Sequence, residues 1–220
     1  MSYIEDIKSV VDSALAELEE AKASGKLQSN PVSEESFLCR WVAQAVKKQH
    51  FGNSVSKEMT AWVQQGRSMG KHANIKGQMQ HIAIVYHHHF PQGDEHSAIT
   101  KSQFDALVAA LEEADWMIHT EYEINRKVRV ISDGQHSFAV CSVALGKSFN
   151  EEGELVKPLS LYVRGPEPWF IEIVREHGML MTKVTDYKSI VKYHGEYHIW
   201  PKNQADRLFV LPDSLKHLLD

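Results

Sequence analysis

The sequence predicts an α+β fold: a helical N-terminal half of about five helices, followed by a mixed or antiparallel sheet with one or two helices. Three observations carry that expectation. Apolar residues recur at helical spacing from Ile4 to Leu111. The period changes to two at Asp115, and Asp-Gly, Pro and Gly signals then cut the chain into short segments. Across 220 residues, a composition 43% hydrophobic and 24% charged is that of a globular chain and excludes disorder, collagen-like repeats and a coiled coil. Residues 1–114 read as a helical domain and 115–220 as an α+β domain.

In the first segment Ile4, Ile7, Val10, Val11, Ala14, Leu15 and Leu18 form an apolar stripe opposite an acidic face, and Gly25 stops the helix. Ser33 is the expected cap of a second helix, with Val32 and Phe37 as its staple and Leu38, Trp41, Val42, Ala45 and Val46 inward. A third helix starts at Ser54 or Ser56 and ends at Gln65, and residues 66–72 read as a polar loop. The fourth, from Ala73 to His89, carries Ile75, Met79, Ile82, Ala83 and Tyr86, with Pro91 and Gly93 beyond it. Thr100 with Gln103 makes a capping box for the fifth, whose face is Phe104, Leu107, Val108 and Leu111.

Beyond Asp115, residues 116–118 read as a short strand, and 128–131 with 137–143 as a hairpin turning at Asp133-Gly134. Leu159 to Val163 is a strand, and Pro166 opens a helix that Gly178 closes. Residues 190–193 and 196–200 read as strands about a His194-Gly195 turn. A strand at 208–211 and a short helix from Pro212 or Asp213 close the chain.

The first residues carry no basic or apolar leader, and the longest clean apolar run, Ile82 to Tyr86, is far short of the roughly 20 residues a membrane span needs. A cytoplasmic protein without a membrane partner is expected. Cys39 and Cys141, with no CxxC pair, read as buried reduced thiols.

The net charge of −5 averages unlike parts. Residues 1–39 sum to −5 and 94–220 to −6, whereas 40–93 hold seven cations against the single acid Glu58, which is +6. Six of the thirteen histidines fall in that block. Such a block suits nucleic-acid phosphates or an acidic protein, and packing of the acidic first helix beside it is the competing internal explanation. Arg67, Lys71 and Lys76 are its candidate anion-binding residues, because a loop and helix start offer backbone N–H groups beside the cations. Lys188 and Lys192 join them from a later stretch, 183–207, where Tyr187, Tyr193, Tyr197 and Trp200 stand among cations. These aromatics either stack bases or fill a sheet core.

His194, Glu196 and His198 would share a face if their stretch were one continuous strand, giving an open two-histidine, one-carboxylate metal site. A turn at His194-Gly195 would instead remove His194 from the set. His87-His88-His89 cannot grip one metal from a helix and complements its C-terminal dipole. HExxH, P-loop and dinucleotide fingerprints are missing from the sequence.

The strings Gly66-Arg67-Ser68-Met69-Gly70-Lys71 and Lys157-Pro158-Leu159-Ser160 with Val163-Arg164-Gly165, and above all 183–197, resemble an uncharacterised bacterial family catalogued only as a domain of unknown function. The resemblance covers nearly the whole chain and implies a bacterial cytoplasmic protein, with no activity, cofactor or site residue to carry across. The function expected is a non-enzymatic accessory or regulatory protein that binds an anionic macromolecule, nucleic acid or acidic protein, without a cofactor. The alternatives are a metal-dependent hydrolase or nuclease at His194, Glu196 and His198, and a protein interaction module such as a homodimer.

Overall fold

The computed structural model describes residues 2–91, 96–130 and 132–219, with 217–219 described by backbone alone. Gly93, expected beyond a helix stop, and Ile131, expected in a strand, lie outside the described residues. The fold is α+β, with most helices in the N-terminal half of the chain, followed in sequence by a five-stranded mixed sheet. Residues 1–94 with 215–220 form one compact unit and 95–214 the other.

The first unit is built from α1 (Tyr3–Ala23), α2 (Pro31–Lys47), α3 (Ser56–Met69) and α4 (Ile75–His89). Ser2 and Glu5 close a capping box on α1, each side chain accepting from the other's backbone N–H. Its stripe Ile4, Ile7, Val10, Val11, Ala14 and Leu18 is buried, and it packs against α4 and α2. Each large aliphatic chain withdrawn in this way stabilises the unit by about 1.5–3 kcal/mol before conformational entropy is counted.

Helix α2 starts earlier than expected. Asn30, not Ser33, is its cap: the Asn30 side-chain oxygen accepts from Ser33 N–H at 2.9 Å, and Pro31 opens the helix, where its missing N–H matters least. Val32 therefore lies inside the first turn and stands 51% exposed rather than acting as a staple. Helix α3 runs on through Arg67 to Met69, where a loop was expected, and a 3-10 turn at Gly70–His72 leads to α4. Gly66 lets α3 approach α2 closely, since a Cβ there would lie 2.9 Å from Cys39 Sγ.

The second unit contains α5 (Lys101–Glu113), β1 (Met117–His119), β2 (Ser137–Ala139), α6 (Ser142–Ser148), β3 (Leu159–Arg164), α7 (Glu167–Glu176), β4 (Met181–Thr185) and β5 (Gly195–Ile199). The strand order is β1-β2-β3-β5-β4; β1 and β2 are parallel and every other pair is antiparallel. On one face Phe138, Leu161, Val163, Tyr197 and Ile199 pack with Phe104, Leu107 and Leu111 of α5 and with Phe170 and Val174 of α7. The Thr100–Gln103 capping box forms as the sequence predicts.

The expected hairpin does not form. Asp133 and Gly134 take the positive φ values of a tight turn, 42° and 90°, but the two neighbours of β2 are β1 and β3. Of residues 128–130 only Val128 bridges, to Val191, so 190–193 is likewise no strand. Residues 142 and 143, expected at the end of a strand, open helix α6 instead, 208–211 form no strand, and β4 arises where none was expected. No helix among the described residues is long and apolar enough to cross a membrane.

Candidate functional site

Strand alternation sets His119, Ala139, Tyr162 and Glu196 in one cross-strand row on the sheet face opposite α5 and α7. Residues 120–130 lie over this face, held at both ends. At the first end Ser142 N–H donates to the Tyr122 carbonyl at 3.0 Å and Ile124 N–H donates to Cys141 Sγ at 3.3 Å. At the second, Val128 N–H donates to the Ile190 carbonyl at 3.0 Å, and Lys192 N–H donates to the Val128 carbonyl at 2.9 Å. Ile124, Val128, Val130 and Ile190 pack against Ala139, Tyr162 and Val191, a second and smaller apolar cluster.

Between this segment and the sheet is a cavity of about 870 Å³, inside the range of small-molecule sites. Ile124, Val128, Val130 and Ala139 form its apolar wall. His119, Asn125, Arg126 and Arg129 supply polar groups, and Tyr122 and Glu123 complete the lining. His119 Nε2 is buried and has no hydrogen-bond partner among the described residues. A buried ring nitrogen of this kind ordinarily has one.

The Val128–Val191 bridge brings two cationic segments side by side: Arg126, Lys127 and Arg129 from one, Lys188 and Lys192 from the other. All five are exposed, and among the described residues none forms an ion pair. The Arg129 guanidinium lies 5.9 Å from the Tyr193 ring centroid, within cation–π range. Tyr122, Tyr187 and Tyr193 are 57–69% exposed nearby in the chain. The aromatics of the 183–207 stretch divide between the interior and the surface. Tyr197 is core, Trp200 Nε1–H donates to Thr182 Oγ1 at 2.9 Å, and Tyr187 and Tyr193 face solvent.

His194, Glu196 and His198 do not form one ligand set. Tyr193 turns the chain through a φ of 65°, and His194 leaves the strand. Its ring is fully buried: Ser137 Oγ–H donates to Nε2 at 2.8 Å, and Nδ1–H donates to the Lys192 carbonyl at 2.9 Å. Because a carbonyl can only accept, that contact fixes the tautomer. Burial holds the imidazole below its ordinary pKa, and Arg164 and His119 act the same way. Glu196 and His198 remain together on β5 at 3.5 Å. No group of three metal-competent side chains occurs among the described residues.

In the helical unit the candidate cations separate. The α4 start is occupied from within: Glu35 of α2 accepts from Ile75 N–H at 2.5 Å and from Lys76 N–H at 3.2 Å, and Lys76 Nζ pairs with Glu34. Both carboxylates are only 5% exposed. The Lys76 hydrogen bond holds the Glu34 carboxyl below the usual range, outweighing burial. On α1, Asp12 takes His87 at 2.9 Å. Arg67 on α3 and Lys71 in the 3-10 turn are exposed and make no ion pair among the described residues. Arg126, Lys127 and Arg129 are not among the candidates that the sequence singles out, because 128–131 reads as a strand; their signal is three cations in four positions.

A family model described as "Protein of unknown function (DUF2913)" matches residues 2–212, and the chain belongs to that family. No curated protein and no solved structure matches it.

Proposed function

We propose that this DUF2913 member is a cytoplasmic, non-enzymatic accessory protein that binds single-stranded nucleic acid through the sheet unit. The observation that carries the reading is the meeting of Arg126, Lys127 and Arg129 with Lys188 and Lys192, unpaired among the described residues, beside exposed Tyr187 and Tyr193. Cations that follow a phosphate backbone, interleaved with rings on which bases stack, are the recurring means of holding a single strand. An acidic protein would meet the cations but has less use for the tyrosines. The α4 start is disfavoured as an anion site because Glu35 already accepts from its N–H groups.

Fluorescence anisotropy with labelled RNA and DNA strands of about 12 nucleotides tests the reading. Affinity should fall steeply with salt, and Lys188→Glu with Lys192→Glu should weaken it by more than about tenfold at low salt. Arg67→Glu with Lys71→Glu should change it by less than about twofold. If neither strand is retained at low salt, the nucleic-acid reading fails. If polyglutamate competes as well as RNA does, the ligand is an acidic protein instead.

A further inference from the structure

The cavity beneath the cationic surface has features that backbone binding alone leaves unused. It is about 870 Å³ in volume, and its wall of Ile124, Val128, Val130 and Ala139 presents short aliphatic groups suited to the face of a planar ring. At the end of β1, His119 lines the same space with an Nε2 that lacks a partner among the described residues. A buried imidazole nitrogen ordinarily has a hydrogen-bond partner; this one is closed off as it stands and would meet a ligand atom only as the ring turns toward the cavity. Asn125 carries both a donor and an acceptor on the same lining. Arg126 and Arg129 supply the forked donors that match phosphate oxygens. Apolar contact, a polar edge and a phosphate clamp together describe one ligand class.

We infer that the cavity holds a single nucleotide, its base against the aliphatic wall with a polar edge toward His119 and Asn125, and its phosphate toward Arg126 and Arg129. The inference rests on the nucleic-acid reading only where that nucleotide belongs to a strand. A free mononucleotide would satisfy the same contacts, and the two sources are separable.

Isothermal titration with nucleoside 5′-monophosphates, followed by amide chemical shifts, is the test. Saturable binding with shifts at residue 119, across 122–130 and at 139 is expected. Removing the phosphate (the nucleoside alone) or the base (ribose 5-phosphate) should each weaken binding by more than about tenfold. Val130→Trp fills the half-buried wall, and His119→Ala removes the unmatched nitrogen; each should lose more than about fivefold in affinity with an unchanged melting curve. Should the tryptophan variant not fold, the histidine variant decides alone. Ribose 5-phosphate binding as tightly as the nucleotide would overturn the proposal, because the base would then not be read. If strands bind but no mononucleotide does, and His119→Ala leaves strand affinity untouched, the pocket proposal falls while the strand-binding reading stands. If mononucleotides bind and strands do not, the pocket stands and the strand-binding reading falls.

Discussion

The two units treat charge in opposite ways. In the helical unit the best-placed cation and helix start turn inward: Glu34 holds Lys76 and Lys22, and Glu35 caps α4. In the sheet unit five exposed cations stand on two bridged segments with no ion pair among the described residues, and two of them, Arg126 and Arg129, line a cavity. Yet by sequence the helical unit contains the +6 block, while the sheet unit lies in the −6 segment. Formal charge counts groups; binding depends on those whose counter-charges are solvent. The difference teaches that a basic block becomes a surface only after the carboxylates of neighbouring elements have been assigned.

The sharpest way to break this comparison is to remove one charge from each unit and measure stability. Glu35→Ala strips the acceptor from two helix N–H groups in a nearly dry site and should destabilise the protein by about 3 kcal/mol. Glu35→Gln, which keeps one acceptor, should lose less. Arg129→Ala should cost less than about 0.5 kcal/mol, because an exposed cation without an ion-pair partner adds little to stability. Urea unfolding of the three variants provides the check. Equal losses for Glu35→Ala and Arg129→Ala would mean that the two units do not differ in this way.

Local signals made much of the architecture legible. The Thr100–Gln103 box, the α1 stripe and the Gly178 stop were readable because each depends on neighbours in sequence. The expected hairpin does not follow from its turn, because Asp133-Gly134 specifies a turn but not which strands pair. β1 runs parallel to β2 and takes the edge that 128–130 was expected to occupy. The same non-local step hid the site. Lys188 and Lys192 could be singled out, but their neighbours Arg126 and Arg129 are more than fifty residues away in the chain and meet them only through the Val128–Val191 bridge. The partner of Lys76 was hidden for a related reason, since Glu34 lies 42 positions before it.

Acid sharpens the contrast by at most the linkage of single groups. In the sheet unit His194 is buried neutral with its pKa depressed, so the unfolded chain binds the proton first. Its contribution is fully present above the unfolded value near 6.5 and is lost as pH falls through the depressed folded value. In the helical unit Glu34 is also depressed, so its contribution persists down to about 4.5 and is lost only below that, as pH falls through the folded value. Amide protection factors, which remove the intrinsic slowing of exchange in acid, should therefore fall in β2 and β3 as pH drops from about 6.5 toward the carboxylate range, while α2 and α4 hold. His194→Gln should flatten the sheet-unit response. Simultaneous loosening of both units in that window would contradict the assignment.

The smallest effect in free energy separates the two thiols, one in each unit. Cys39 is pushed above its ordinary pKa by burial, and Glu35 adds to the shift. Cys141 is also opposed by burial, but backbone N–H donors from Ile124, Ala144 and Val143 prevail and hold its thiol below the ordinary value. The thiolate is the reactive form. Iodoacetamide should therefore label Cys141 of the native protein at least about threefold faster than Cys39 near neutral pH, as read by peptide mass spectrometry. Faster labelling of Cys39 would show that the helical unit opens more readily than the sheet unit. That would reverse the comparison, because internally satisfied carboxylates such as Glu34 and Glu35 would then not be holding α2 against α4.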